Sequence, residues 1–299
     1  MTHLLNGLVA ATHTPFKKDG SLNLDGIEKI AAHLSSNKVD IAFIGGSTGE
    51  SHSLNVEERM SLAKRWFEVV KGTKLNVVVH VGSNCLEDAR TLAKQAQELK
   101  ALAISALTPS YFKPKNVEAL VECCSFIASA APRVPFYYYD IPTMTGVNLS
   151  MPEFLERAEK SIPNLKGLKF TNVDFMSFQL CSQMEGGRFE ILWGVDEMLL
   201  PALSVGAHGA VGSTYNFAAP IYHRIIDAFK KFDFETARKE QLRSIKLVNI
   251  LVKRGYMASA KAMMGMLGVD VGSPRLPNVA LKQEELASLR SDLEKESYI

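Results

Sequence analysis

Short runs of apolar, often β-branched residues alternate along the chain with longer stretches in which apolar positions recur three and four residues apart. The first kind of run predicts a buried strand, the second an amphipathic helix. A strand is predicted over residues 7–16 and a helix over 24–34. The pairs 40–46 and 56–70, 75–82 and 86–99, 102–107 and 117–130, and 134–141 and 151–161 follow. The series ends with 165–170 and 175–184, 189–194 and 198–205, and 209–212 and 219–232. Such alternation argues for a parallel sheet with right-handed crossovers. Eight units suffice to close a (β/α)8 TIM barrel of the α/β class. A doubly wound open sheet is the rival, and the lack of GxGxxG after the first strand weakens its dinucleotide-binding form.

Residues 1–233 account for the barrel, and residues 234–299 remain as a helical extension. Helices are predicted there over 235–253, 261–267 and 284–293, the first with Leu242, Ile245, Val248 and Leu251 along one stripe. A barrel does not need these helices. They are expected to pack on its outside or against another subunit, so that the chain forms a single domain overall.

Composition narrows the function classes. With 46% hydrophobic and 22% charged residues, the chain has the balance of a globular protein with a large core. A formal net charge of +2 provides no field that would recruit nucleic acid or an anionic membrane. Residues 1–9 lack the basic and apolar segments of a signal peptide, and no run of about 18 apolar residues exists to span a bilayer. The four cysteines form no CxxC pair, which suits free thiols in a reducing, cytoplasmic setting. The seven histidines show no HxH or HxxxH spacing, so no metal is expected.

In a barrel the active groups lie at the C-terminal ends of the strands. Lys169, near the end of strand six, alternates onto the same face as Gly167. If that face is the interior, burial favours the neutral amine, which can attack a ketone. A strand-end lysine whose head snorkels to water is the alternative. Tyr139 ends strand five as a candidate proton relay, or as ordinary aromatic packing. The GGSTGE segment at residues 45–50 offers backbone N–H groups and the hydroxyls of Ser47 and Thr48 to an anion, or is a glycine-rich turn. Asp196 and Glu197 could bind polyol hydroxyls or cap the next helix. His208 precedes strand eight, at the wrong end for catalysis. His80, within strand three, is expected to be a core residue or to support the site.

Taken in order, GGSTGE, YDIP (139–142), GLKFT (167–171), GVDE (194–197) and GSTYN (212–216) resemble the N-acetylneuraminate lyase and dihydrodipicolinate synthase superfamily of class I aldolases. The resemblance runs from Gly7 through Asn216. It implies that Lys169 is the Schiff-base lysine and Tyr139 its proton relay. Ser47 and Thr48 would hold a pyruvate carboxylate and hydrogen-bond Tyr139. Tyr111 is similar to a tyrosine that reaches a neighbouring subunit's site, which implies an oligomer, usually a homotetramer. GGSTGE resembles the lyase form of the strand-two loop, and residues 143–146 lack the arginine typical of the synthase branch. By the same resemblance Thr171, Gly194, Asp196, Glu197 and Ser213 would hold a sugar tail. One departure is Pro-Ser-Tyr-Phe at 109–112, where Pro-Phe-Tyr-Tyr is common. The implied reaction is retro-aldol cleavage of N-acetylneuraminate, a sialic acid, to N-acetylmannosamine and pyruvate, with no cofactor. A related lyase or synthase for another 2-keto acid and a non-catalytic sugar-acid-binding barrel are the alternatives.

Overall fold

The structure, a computed structural model, describes residues 3–299. Eight parallel strands close into a barrel in sequence order. They are β1 (Gly7–Ala11), β2 (Ile41–Ile44), β3 (Asn76–His80), β4 (Ala103–Ala106), β5 (Phe136–Asp140), β6 (Leu165–Phe170), β7 (Glu190–Trp193) and β8 (Gly209–Gly212). The ring closes where Gly7 of β1 pairs with Gly209 of β8. Around it lie α1 (Gly26–Ser36), α2 (Val56–Val70), α3 (Leu86–Glu98), α4 (Val117–Ala128), the single turn α5 (Pro142–Thr145), α6 (Met151–Ser161), α7 (Phe175–Gln183), α8 (Leu199–Ser204) and α9 (Ala219–Lys230). The extension carries α10 (Phe234–Val252), α11 (Tyr256–Met266) and α12 (Gln283–Lys295). The TIM barrel expected from the alternation is the fold observed.

Local sequence sets the helix starts. Asn55 and Glu58 form a reciprocal capping box at the head of α2, and Asn116, Ser150, Asp174 and Asp233 each accept a backbone N–H at the heads of α4, α6, α7 and α10. The strands are buried on both faces, and alternation sorts their side chains. Phe136 and Tyr138 of β5 join the layer between sheet and helices, whereas Tyr137 and Tyr139 point into the barrel. Glu190 plugs the far end of the barrel. Its carboxylate accepts from the Leu4 and Leu5 N–H groups and the Tyr137 hydroxyl. His208 stacks on His3 at that same end, remote from the strand C-termini.

Several boundaries differ from the sequence reading, and one element is new. β1 stops at Ala11, and residues 12–14 continue as buried irregular chain. α5 was not expected. α11 starts at Tyr256, five residues before the predicted 261, because Gly255 at φ +87° turns the chain directly from α10 into α11. The stripe assigned to α10 is corrected in part. Val248 and Leu251 face inward as expected, but Leu242 is 54% exposed, and the inward face also includes Ala237, Gln241 and Ser244. Two of these are polar, which hides the face from a hydrophobic pattern. Gln241 is tolerated there because its amide accepts from Leu200 N at 2.7 Å and donates to the Asp196 carbonyl at 3.3 Å.

The extension is also tied to the strand-two loop. Glu50, at φ +55°, pairs with Lys261 of α11 at 2.7 Å, both side chains 1% exposed. Its second oxygen accepts from Arg275 N at 2.8 Å, and the Arg275 guanidinium grips both carboxylate oxygens of Glu58. Among the described residues, no helix is long and apolar enough to cross a membrane.

Candidate active site

A cavity of about 710 Å³ opens at the C-terminal ends of the strands. Lys169 enters it from β6 and is 4% exposed. Its Nζ lies 3.8 Å from the centroid of the Tyr139 ring and 4.3 Å from that of Phe43. Register explains the meeting: Tyr139 and Lys169 are paired neighbours on β5 and β6, and both face inward. The Tyr139 hydroxyl lies 3.3 Å from Ser47 Oγ. A dry amine, a phenol and a hydroxyl relay thus converge on one point.

The loop bearing Ser47 and Thr48 is held from behind by His80. Its Nδ1 lies 2.9 Å from the Gly45 carbonyl, and its Nε2 accepts from Leu107 N at 3.3 Å. Those partners require the proton on Nδ1. Burial, followed by the Arg59 guanidinium, pushes His80 far below its usual range and keeps it neutral. Residues 45–49 also spell G-x-S-x-G, the string of a hydrolase nucleophile elbow. The Ser47 hydroxyl meets a phenol and not an imidazole, so no Ser–His pair forms.

The other wall comes from the ends of β6, β7 and β8. Asp196 is 5% exposed, and its Oδ2 accepts from Thr214 Oγ1 at 2.6 Å and Thr214 N at 2.9 Å. Burial and the adjacent Glu197 raise the Asp196 carboxyl to about 6. Two glycines permit the close approach. A Cβ on Gly212 would overlap the Asp196 carboxylate, and one on Gly194 would overlap Thr171 Oγ1. Thr171 Oγ1 is itself buried without a hydrogen-bond partner among the described residues. A ligand hydroxyl would satisfy it.

The structure therefore brings Lys169, Tyr139, Ser47, Thr48, Thr171, Gly194, Asp196, Glu197 and Ser213 to one cavity. Tyr111 is not brought there: it is 80% exposed and packs edge-on against Phe112, outside the cavity. Among the described residues no group of three His, Cys, Asp or Glu side chains is placed to hold a metal ion.

The model of the dihydrodipicolinate synthetase family matches residues 4–296. The chain belongs to that family. Within it, the chain is 40% identical to the N-acetylneuraminate lyase of Gallus gallus over 294 residues, covering 97% of this chain and 96% of that protein. The solved N-acetylneuraminate lyase (sialic acid aldolase) of Aliivibrio salmonicida superposes with a TM-score of 0.96 at 42% identity, covering 100% of this chain and 99% of that one. The Proteus mirabilis N-acetylneuraminate lyase matches with a TM-score of 0.96, 40% identity and 99% coverage of both chains.

For a dihydrodipicolinate synthetase family barrel, the strand-end rule finds the eight loops but says nothing of the extension. Here it missed residues that close the cavity. Val248 and Val252 of α10, Tyr256 and Met257 of α11, and Asn278 line it. The Tyr256 hydroxyl lies 2.6 Å from Ser213 Oγ. The extension, expected to pack on the outside of the barrel or against another subunit, also supplies a wall of the site at the α10–α11 corner. The one available signal was Gly255-Tyr256, an aromatic placed where a glycine breaks the helix.

Proposed function

We propose that this carbon–carbon lyase cleaves N-acetylneuraminate to N-acetylmannosamine and pyruvate through a Schiff base on Lys169. The observation that carries the reading is the Lys169 amine, buried against the Tyr139 ring, in one cavity with two carboxylates able to accept from a polyol. Relatives and solved structures named N-acetylneuraminate lyase at about 40% identity over nearly the whole chain support it. No arginine lines the cavity among the described residues, so a second substrate carboxylate would lack a guanidinium partner.

The substrate carboxylate rests on Ser47 and Thr48, and Lys169 Nζ attacks the C2 ketone of the open-chain sugar. Loss of water leaves a protonated imine. Tyr139, linked to Ser47 and left as the phenolate after giving its proton to the departing water, takes the C4 hydroxyl proton. The C3–C4 bonding pair moves toward the imine, C4 becomes the aldehyde of N-acetylmannosamine, and an enamine remains. Protonation at C3 and addition of one water release pyruvate and free the lysine. This covalent route uses no external cofactor. Thr171, Asp196, Glu197 and Ser213 hold the sugar tail, with Gly194 giving it room.

The exposed Tyr111–Phe112 pair and the apolar stripe Val173, Met176 and Leu180 at α7 suit contact with further copies of the chain. We assign the working form as a homotetramer in which Tyr111 completes a neighbour's site. All four cysteines are free, which fits the cytoplasm.

Borohydride added with pyruvate should reduce an imine onto Lys169, seen by peptide mass. Wild type should release pyruvate from N-acetylneuraminate, whereas Lys169→Ala should do neither. An adduct on another lysine, or turnover by Lys169→Ala, refutes the scheme.

A further inference from the structure

The Asp196 carboxylate is held asymmetrically. Oδ2 takes two donors from one residue, Thr214, through its N–H and its hydroxyl. The 2.6 Å hydroxyl contact is in the range of charge-assisted O–H···O⁻ bonds. The carboxylate lies against Gly212, where a Cβ would overlap it, so its plane cannot swing toward β8. Oδ1 has no donor among the described residues, although Asp196 lines the cavity. Gln241 fixes the backbone beneath by donating to the Asp196 carbonyl. The groups facing the carboxylate are Glu197, the Lys169 amine and the phenols of Tyr215, Tyr222 and Tyr256.

We propose that Thr214 is a positioning residue for sugar recognition: by occupying Oδ2 it fixes the Asp196 carboxylate and aims Oδ1 at a pair of vicinal hydroxyls on the substrate tail. The inference rests on the lyase reading above. Thr214 does not touch the reacting carbons. Its loss weakens the grip on the sugar half and leaves the pyruvate half, on Ser47, Thr48 and Lys169, in place. The same hydroxyl opposes the rise in the Asp196 carboxyl that burial and Glu197 produce. Its removal therefore moves the ionisation toward neutral pH.

The test compares Thr214→Val, which keeps shape without the hydroxyl, with Thr214→Ser, which restores it. A lost hydrogen bond to a charged group corresponds to about a tenfold or larger change in binding. KM for N-acetylneuraminate should rise by about that factor in Thr214→Val. The acid limb of kcat/KM should shift to higher pH, and Thr214→Ser should recover both. Borohydride trapping of pyruvate should change far less than KM. An unmoved KM and acid limb, a serine variant as impaired as the valine one, or an equal loss of pyruvate trapping overturns the proposal. If wild type traps pyruvate yet leaves N-acetylneuraminate intact, the lyase reading has failed separately. The clamp is then judged from melting temperature against pH. Thr214→Val must carry the inflection near pH 6 upward, and an unshifted inflection overturns it.

Discussion

Replacing Lys261 by methionine tests whether the extension braces the loop that carries Ser47 and Thr48. Lys261 and Glu50 meet at 2.7 Å with both side chains almost wholly buried, so removing the ammonium strands a carboxylate away from water. Breaking a buried pair in this way costs about 3–5 kcal/mol. Arg275 N still donates to Glu50 Oε2, which places the cost at the low end, about 3 kcal/mol. Methionine retains the apolar stem beside Phe16, whose ring lies 4.2 Å from Nζ. For a chain of this size a loss of that order lowers Tm by roughly 6 °C. Adding Glu50→Gln removes the stranded charge while keeping an acceptor for Arg275, and should recover part of the loss. The assay is thermal denaturation of the four members of the double-mutant cycle, alongside the rate of pyruvate adduct formation. Adduct formation should slow in Lys261→Met, because Glu50 sits two residues beyond Thr48. A loss below about 1 kcal/mol, or strictly additive effects in the double variant, would show that the pair is not coupled and the brace does not exist.

Two further outcomes follow from the same reasoning. Burial raises the Asp140 carboxyl from 3.8 to about 7, against the weaker opposing effect of the Asn172 amide. The folded value lies above the unfolded one, so the native state keeps a proton that the unfolded chain has lost. Stability therefore falls as pH rises from about 4 to about 7, by roughly 4 kcal/mol. Asp140→Asn should melt higher than wild type at pH 8 and converge with it near pH 4; parallel curves would contradict the argument. Gly212→Ala should raise KM for the sugar acid while leaving pyruvate trapping intact, since the added methyl overlaps the Asp196 carboxylate; steady-state kinetics with wild-type KM would show that the carboxylate is free to move.

Much of the barrel was legible because the strands are largely buried on both faces and read as short apolar runs such as 77–79 and 101–104. Alternation put Lys169 and Tyr139 forward only as candidates, against a snorkelling lysine and aromatic packing, and it was the ordered set of motifs around them that singled them out. Thr214 was not legible. Its function depends on where a carboxylate eighteen residues earlier comes to rest across the β7–β8 ladder. The inward face of α10 was misread because Gln241 and Ser244 are buried polar groups satisfied by hydrogen bonds, and a hydrophobic pattern registers them as solvent-facing. Tyr256 was missed because its contact with Ser213 links parts of the chain that no local rule connects.

The tie between Glu50 and the backbone of Arg275 spans 225 residues of sequence. On a ribosome adding about 5–20 residues per second, that span takes roughly 10–45 s to synthesise. Throughout that interval the turn that bears Ser47 and Thr48 exists without its clasp. The catalytic mouth is thus among the last parts of the nascent protein to be finished, although half of it is among the first to be made.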